Sequence, residues 1–322
     1  MDTRPVGPWM VPGIALGCMN ASWRGRAATS PETRQTVAVP GIHRALDGGV
    51  RLLDTADVYA PSWDEVGHNE VLIAEALESW SGPAADDPPV VVATKGGVTR
   101  NAGESWGKDA SAEHFLAAAQ ASAHRLRVDT LDLYQHHRLA PAPAFETQVE
   151  NLFKVKRNGL ARHVGVSNYS AQQLRVALDL IGGPEDGGIV SIQNPWSPFY
   201  PADPEVIDLC ERHGIAFLAW GPLGGKTGRE AIHSGQLPEF DEIAHSHRVS
   251  TAALIVAWLM HLSPRVIVVS GATKPETVAD TLTANSVTLS HDEVSYLSSH
   301  LPRPEPLGYG LDTDPDPPWR TP

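Results

Sequence analysis

The chain has 322 residues, 42% of them hydrophobic, and a formal net charge of −13. That length suits one large domain over 1–322, and the acidic balance argues against a nucleic-acid partner, whose phosphates need a basic surface. Two cysteines, Cys18 and Cys210, are too few for a disulfide framework. The N-terminal MDTRPVGPWMVPG has no apolar core of signal-peptide length, and no later run approaches a membrane span, so a cytoplasmic protein away from the membrane is expected.

Short aliphatic runs recur along the chain, each followed by a helix-like stretch. The strands predicted are Ile14–Gly17, Val50–Asp54, Val90–Lys95, Leu131–His136, His163–Val166, Ile189–Gln193, Ile215–Trp220 and Val266–Val269. The helices predicted after them are Gly41–Asp47, Glu70–Ser79, Ala112–Leu126, Glu146–Arg157, Ala171–Ile181, Pro204–His213, Thr251–Leu262 and Pro275–Ala284, with an extra helix near Phe240–His247. Ser111 and Ser170 suit N-caps, Pro204 suits a first helical turn, and Gly159, Gly182 and Gly214 fall where helices should stop. Strands alternating with helices imply parallel βαβ units. Eight such units fit an α/β (β/α)8 TIM barrel, although a doubly wound open sheet shares the pattern. The Pro/Asp-rich stretch Gly82–Pro89 reads as a loop, and 301–322 as a Pro-rich C-terminal tail.

A barrel of this kind carries its site at the carboxyl ends of the strands. The polar or aromatic residues there are Asp54, Lys95, His137, Ser167 with Asn168, Gln193 and Trp220. Asp54 and Lys95 each follow an apolar strand, so each should be desolvated and in need of an opposite charge. A structural ion pair at the rim would satisfy both. Tyr59 lies just past the second strand, and a nearby ammonium would lower its pKa towards the range useful for acid catalysis. A packed loop tyrosine is the plainer alternative. His136 and His137 are adjacent and must point to opposite sides of a strand, which makes the pair a poor metal site.

These segments resemble the aldo-keto reductase family. LLDTADVY (Leu52–Tyr59), VVATKGG (Val91–Gly97), LDLYQHHR (Leu131–Arg138), HVGVSNY (His163–Tyr169), IQNPWSPF (Ile192–Phe199), AWGPLGG (Ala219–Gly225) and SGATKPETVADTL (Ser270–Leu282) match its motifs in order. The variant is similar to bacterial reductases related to potassium-channel β-subunits. The resemblance implies catalytic Asp54, Tyr59, Lys95 and His137. It also implies an NADP cofactor, with NAD as the alternative, and a small-molecule carbonyl substrate. Trp220 would stack on the nicotinamide, with Ser167, Asn168 and Gln193 on its carboxamide. Gly17, Met19, Asp54, Gly221, Pro222, Leu223, Gly225, Gly271, Thr273, Lys274, Thr277, Asp280 and Thr281 complete the cofactor set.

The chain departs from the family pattern at Thr277 and Thr281, where Arg or Gln and Asn are common, and at Gly221 and Met19. Lys274 still offers a cation for a 2′-phosphate. The loop Ala60–His68 is longer than usual, and Trp23, Trp63, Trp106 and Trp196 on mouth loops are candidate substrate contacts. A redox-sensing NADP-binding subunit with little turnover, or a biosynthetic tailoring enzyme, would fit the same barrel. Either a monomer or a homo-oligomer is compatible with the sequence.

Overall fold

The computed structural model describes residues 2–22, 30–82 and 89–302. Trp23, most of the Gly82–Pro89 loop and the tail beyond residue 302 therefore lie outside the described residues.

Eight strands close into a parallel barrel: β3 (Ile14–Gly17), β4 (Leu52–Asp54), β5 (Val91–Gly96), β8 (Leu131–His136), β9 (Ala161–Ser167), β10 (Ile189–Pro195), β11 (Ala216–Trp220) and β12 (Val266–Ser270). Closure excludes the open sheet, and all eight are the strands expected from the sequence. Two antiparallel hairpins were not expected. One is β1 (Thr3–Val6) with β2 (Trp9–Pro12); the other is β6 (Val98–Asn101) with β7 (Ser105–Lys108). Strands of four residues leave little alternation to read.

The period of two along each strand sorts the side chains. Ala15, Leu52, Val91, Ala93, Leu133, Ala216, Leu218, Ile267 and Val269 share one cluster inside the barrel, closed by Val6 and Val11 of the first hairpin. The alternate residues, such as Leu53, Val92, Tyr134, Val164, Phe217 and Val268, pack outward in the larger cluster with the helices. Burial on both faces explains the near-continuous apolar strands.

The helices follow the expected order with small shifts at their ends. Ser111 caps Ala112–Leu126 by accepting from the His114 amide, and Ser170 forms a capping box with Gln173. β4 begins at Leu52 rather than Val50 because the Val50 amide is spent on the Ala45 carbonyl at the end of the preceding helix. The last predicted helix stops at Leu282 and continues as a 3-10 turn, Thr283–Ser286. Gly225–His233 and His291–Ser299 are additional helices. The second carries a signal the sequence did offer: Ser290 and Glu293 form a reciprocal capping box. Among the described residues no helix is long and apolar enough to cross a membrane.

Candidate active site

The strand alternation that packs Leu52, Ala93 and Leu218 inside the barrel puts Asp54, Lys95 and Trp220 on the same face, one layer higher. His137 stands in the same relation to Leu133 and Gln135. Four residues named from the sequence come together at this mouth. Lys95, fully buried, donates from Nζ to Asp54 Oδ2 at 2.8 Å and to the Thr55 carbonyl at 2.8 Å. The same ammonium lies 5.2 Å from the centroid of the Tyr59 ring. Tyr59 and His137 meet edge to face, with centroids 5.7 Å apart.

Burial controls the electrostatics. It would lower the Lys95 pKa by itself, but Asp54, hydrogen-bonded to the ammonium, and then the nearby Tyr59 reverse the effect and raise it. Tyr59 departs from expectation. Its pKa is raised, because burial of the phenol outweighs the Lys95 field that would lower it. His137 is held well below the ordinary imidazole value, first by burial and then by the charges of Lys95 and Arg138, so its ring is neutral at physiological pH. The neighbouring His136 points the other way, bonding the Tyr169 hydroxyl at 2.8 Å and packing on Phe115; burial pushes it down to about 3.

Next to this group stands a polar shelf. Ser167 donates to the Gln193 carbonyl at 2.8 Å, and Asn168, at φ 60°, donates from Nδ2 to the His137 carbonyl at 3.0 Å. Asn168 Oδ1 is buried and has no partner within the protein. Gln193, expected on the cofactor carboxamide, also donates from Nε2 to Asp54 Oδ1 at 2.7 Å. The carboxylate is thus held from both sides.

The Trp220–Gly225 run forms a turn closed by the Gly224 amide on the Gly221 carbonyl, with Pro222 buried, and leads into the helix Gly225–His233. Leu223 packs on the core. A side chain at Gly221 would meet nothing within 4 Å, so that turn faces open space. After β12, Gly271 accepts from Asn20 Nδ2 at 3.0 Å, and Thr273 lies against Gly41 so closely that a Cβ there would stand 1.9 Å from the Thr273 oxygen. Gly17, at the end of β3, packs on Val269 of the neighbouring β12. Lys274 and Thr277 are exposed at the start of the helix Pro275–Leu282. Two residues of this segment have partners within the protein. Asp280 accepts from the Ser250 hydroxyl at 2.8 Å, and Thr281 donates to the Thr277 carbonyl at 3.0 Å.

The tryptophans divide. Trp106 and Met19 pack on the small cluster of Ala56, Val58, Tyr59 and Val98, beside the tyrosine. Trp63 is 41% exposed on the neighbouring loop. Trp196 is 8% exposed and packs edge-on to Phe217 within the outer core. Sequence reasoning missed Arg100 and Glu104, which join the Trp63 loop to the second hairpin, and Asn69, which links Thr55 to the Cys18 carbonyl and Ser22.

A closed eight-stranded parallel barrel with a buried lysine–carboxylate pair, a tyrosine and a neutral histidine at its mouth has the architecture and chemistry of a barrel enzyme. The chain belongs to the Aldo/keto reductase family, whose model matches residues 13–302. An uncharacterized oxidoreductase of Schizosaccharomyces pombe is 26% identical over 294 residues, covering 90% of this chain and 87% of that protein. Pyridoxine 4-dehydrogenase of Escherichia coli is 27% identical over 302 residues, covering 92% and 97%. An aldo/keto reductase from Klebsiella pneumoniae, solved in complex with NADP and acetate, shares the fold with a TM-score of 0.74 at 23% identity, covering 94% of this chain and 96% of that one.

Proposed function

We propose that the protein reduces an aldehyde or ketone to an alcohol with NADPH, and that Tyr59 is the proton donor. The observation that carries this reading is the shared buried contact of Tyr59, Lys95 and His137 at one barrel mouth. Family membership and the NADP-bound relative from Klebsiella pneumoniae support it.

The residues present fit the cofactor. The unpartnered Asn168 Oδ1 is an acceptor suited to a carboxamide NH2, Trp220 offers a partly buried ring packed on the inner cluster, and the glycine turn leads into a helix start, where backbone N–H groups favour phosphate. Lys274 is the exposed cation for a 2′-phosphate. When bound, the cofactor supplies the hydride that reaches the carbonyl carbon. Tyr59 gives its hydroxyl proton to the carbonyl oxygen. The phenolate left behind faces the Lys95 ammonium, which costs no reorganisation because Asp54 and Thr55 already fix it. Solvent then returns the proton to Tyr59. His137, being neutral, donates a ring N–H to the carbonyl oxygen and orients it without competing as an acid.

The test is NADPH oxidation across a panel of aromatic and aliphatic carbonyls, followed by Tyr59→Phe. Turnover should fall by at least about 100-fold, the contribution typical of general acid catalysis, while NADPH affinity is kept. Undiminished turnover in that variant would refute the assignment.

A further inference from the structure

The loop carrying Tyr59 is gripped at both ends by buried cations. At its start Lys95 binds the Thr55 carbonyl at 2.8 Å. At its far end Arg100, on β6, donates from Nη1 to the Ala60 carbonyl at 2.7 Å and from Nη2 to the Pro61 carbonyl at 3.3 Å. Between the two clamps, the Tyr59 amide donates to Ala56 and its carbonyl accepts from Asn69. The Arg100 side chain is only 4% exposed. Ala60 is fully buried, so its carbonyl depends on that guanidinium for a donor.

The rest of the guanidinium is also engaged. Nε donates to Glu104 Oε2 at 2.7 Å, and the carbon lies 5.1 Å from the Trp106 ring centroid. Glu104 Oε1 accepts from the Trp63 amide at 3.3 Å. One planar fork thus fixes the carbonyl next to Tyr59, holds Trp106 against the Tyr59 cluster, and through Glu104 anchors the loop bearing Trp63. A lysine could neutralise Glu104, but it cannot serve two carbonyls and a ring face together.

We propose that Arg100 is a positioning residue for the reaction, setting the Tyr59 hydroxyl in place and, with Glu104, fixing the Trp63–Trp106 wall as one preformed surface. This rests on Tyr59 being the proton donor. A displacement of about 1 Å at a reacting group costs on the order of 100-fold in rate.

The experiment uses the full chain and the panel carbonyl turned over fastest. Arg100→Met should lower kcat by about 10- to 100-fold while leaving the NADPH dissociation constant within about two-fold of wild type, a split that follows if the clamp acts on the reacting group and not on the cofactor. Arg100→Lys and Glu104→Gln should fall between the two. In the Tyr59→Phe background, adding Arg100→Met should cost less than about two-fold more, because residues acting through one group are not additive. Unchanged kcat in Arg100→Met overturns the proposal. If that variant does not fold, unchanged kcat in Glu104→Gln overturns it. A full multiplicative loss on top of Tyr59→Phe also overturns it, because Arg100 would then act independently of the tyrosine. Retained activity in Tyr59→Phe alone brings down the proton-donor reading itself, whatever the Arg100 variants do.

Discussion

Asp57, inside the loop that carries Tyr59, is 6% exposed and leaves Oδ1 without a hydrogen-bond partner. Burial, and then the charge of Glu70, hold its carboxyl well above the usual range; Arg125 and Lys95 pull the other way and do not compensate. A raised folded pKa means that the native state keeps a proton the unfolded chain has released. Stability from this group is therefore complete below the ordinary carboxylate pKa and is lost as pH rises towards the folded value. The slope in that interval is about 1.4 kcal/mol per pH unit. Asp57→Asn keeps the shape and cannot ionise. An unfolding entropy of about 2.1 cal/mol/K per residue over 322 residues converts the slope into a Tm difference of about 2 °C per pH unit. Thermal melts of both proteins from pH 4 to pH 8 should coincide near the acid end, with the variant progressively ahead above it. Parallel curves over that range would show that Asp57 is ionised in the folded protein and refute the reasoning.

Three other perturbations test separate parts of the structure. Arg125→Met strands Glu70, fully buried and bonded to Arg125 Nε at 2.6 Å; breaking such a pair costs about 3–5 kcal/mol, a Tm loss of about 4–7 °C. Scanning calorimetry reads this, and a loss under about 1 °C would contradict it. Gly41→Ala puts a Cβ onto the Thr273 carbonyl and must part the helix Val39–Asp47 from the segment after β12. Its NADPH dissociation constant should rise about 10-fold or more, while kcat at saturation stays near wild type; equal affinity would dissociate that segment from the cofactor. Lys274→Ala should weaken NADPH by about 10-fold, near 1.4 kcal/mol, without changing NADH binding. Equal losses for both cofactors would remove Lys274 from the 2′-phosphate.

The barrel and its mouth were legible for one reason: parallel strands are short apolar runs, and the polar residue ending each run is conspicuous. Asp54, Lys95, His137, Ser167 and Gln193 were found that way, and the structure brings Asp54 into contact with both Lys95 and Gln193. Side-chain partners across the barrel were not legible. Gln193 and Asp54 are far apart in sequence, and only closure lets the amide reach the carboxylate. The direction of the Tyr59 shift was also beyond the sequence, since it is a contest between burial and the Lys95 field, and burial cannot be read from a motif. The Arg100 clamp escaped because its hairpin has four-residue strands around a turn with Gly103 and Glu104 at positive φ. The packing of Trp196 on Phe217 was not legible either, because a loop position does not reveal what an indole meets.

Strand alternation also gives β5 two separate tasks. Lys95 points into the barrel, towards Asp54 and Tyr59, while Thr94 points outward and donates to Glu70 at 2.5 Å, which in turn meets Arg125. The inner network holds the proposed proton donor and its neighbours, and the outer one holds a helix against the strand. They touch at Asp57, whose amide donates to the Lys95 carbonyl and whose carboxyl feels Glu70. Arg125→Met should therefore lower Tm while leaving the pH dependence of kcat in place, because no outer charge leads the balance at Tyr59 or His137. A shifted kcat–pH profile in that variant would mean that the two networks are coupled through Asp57.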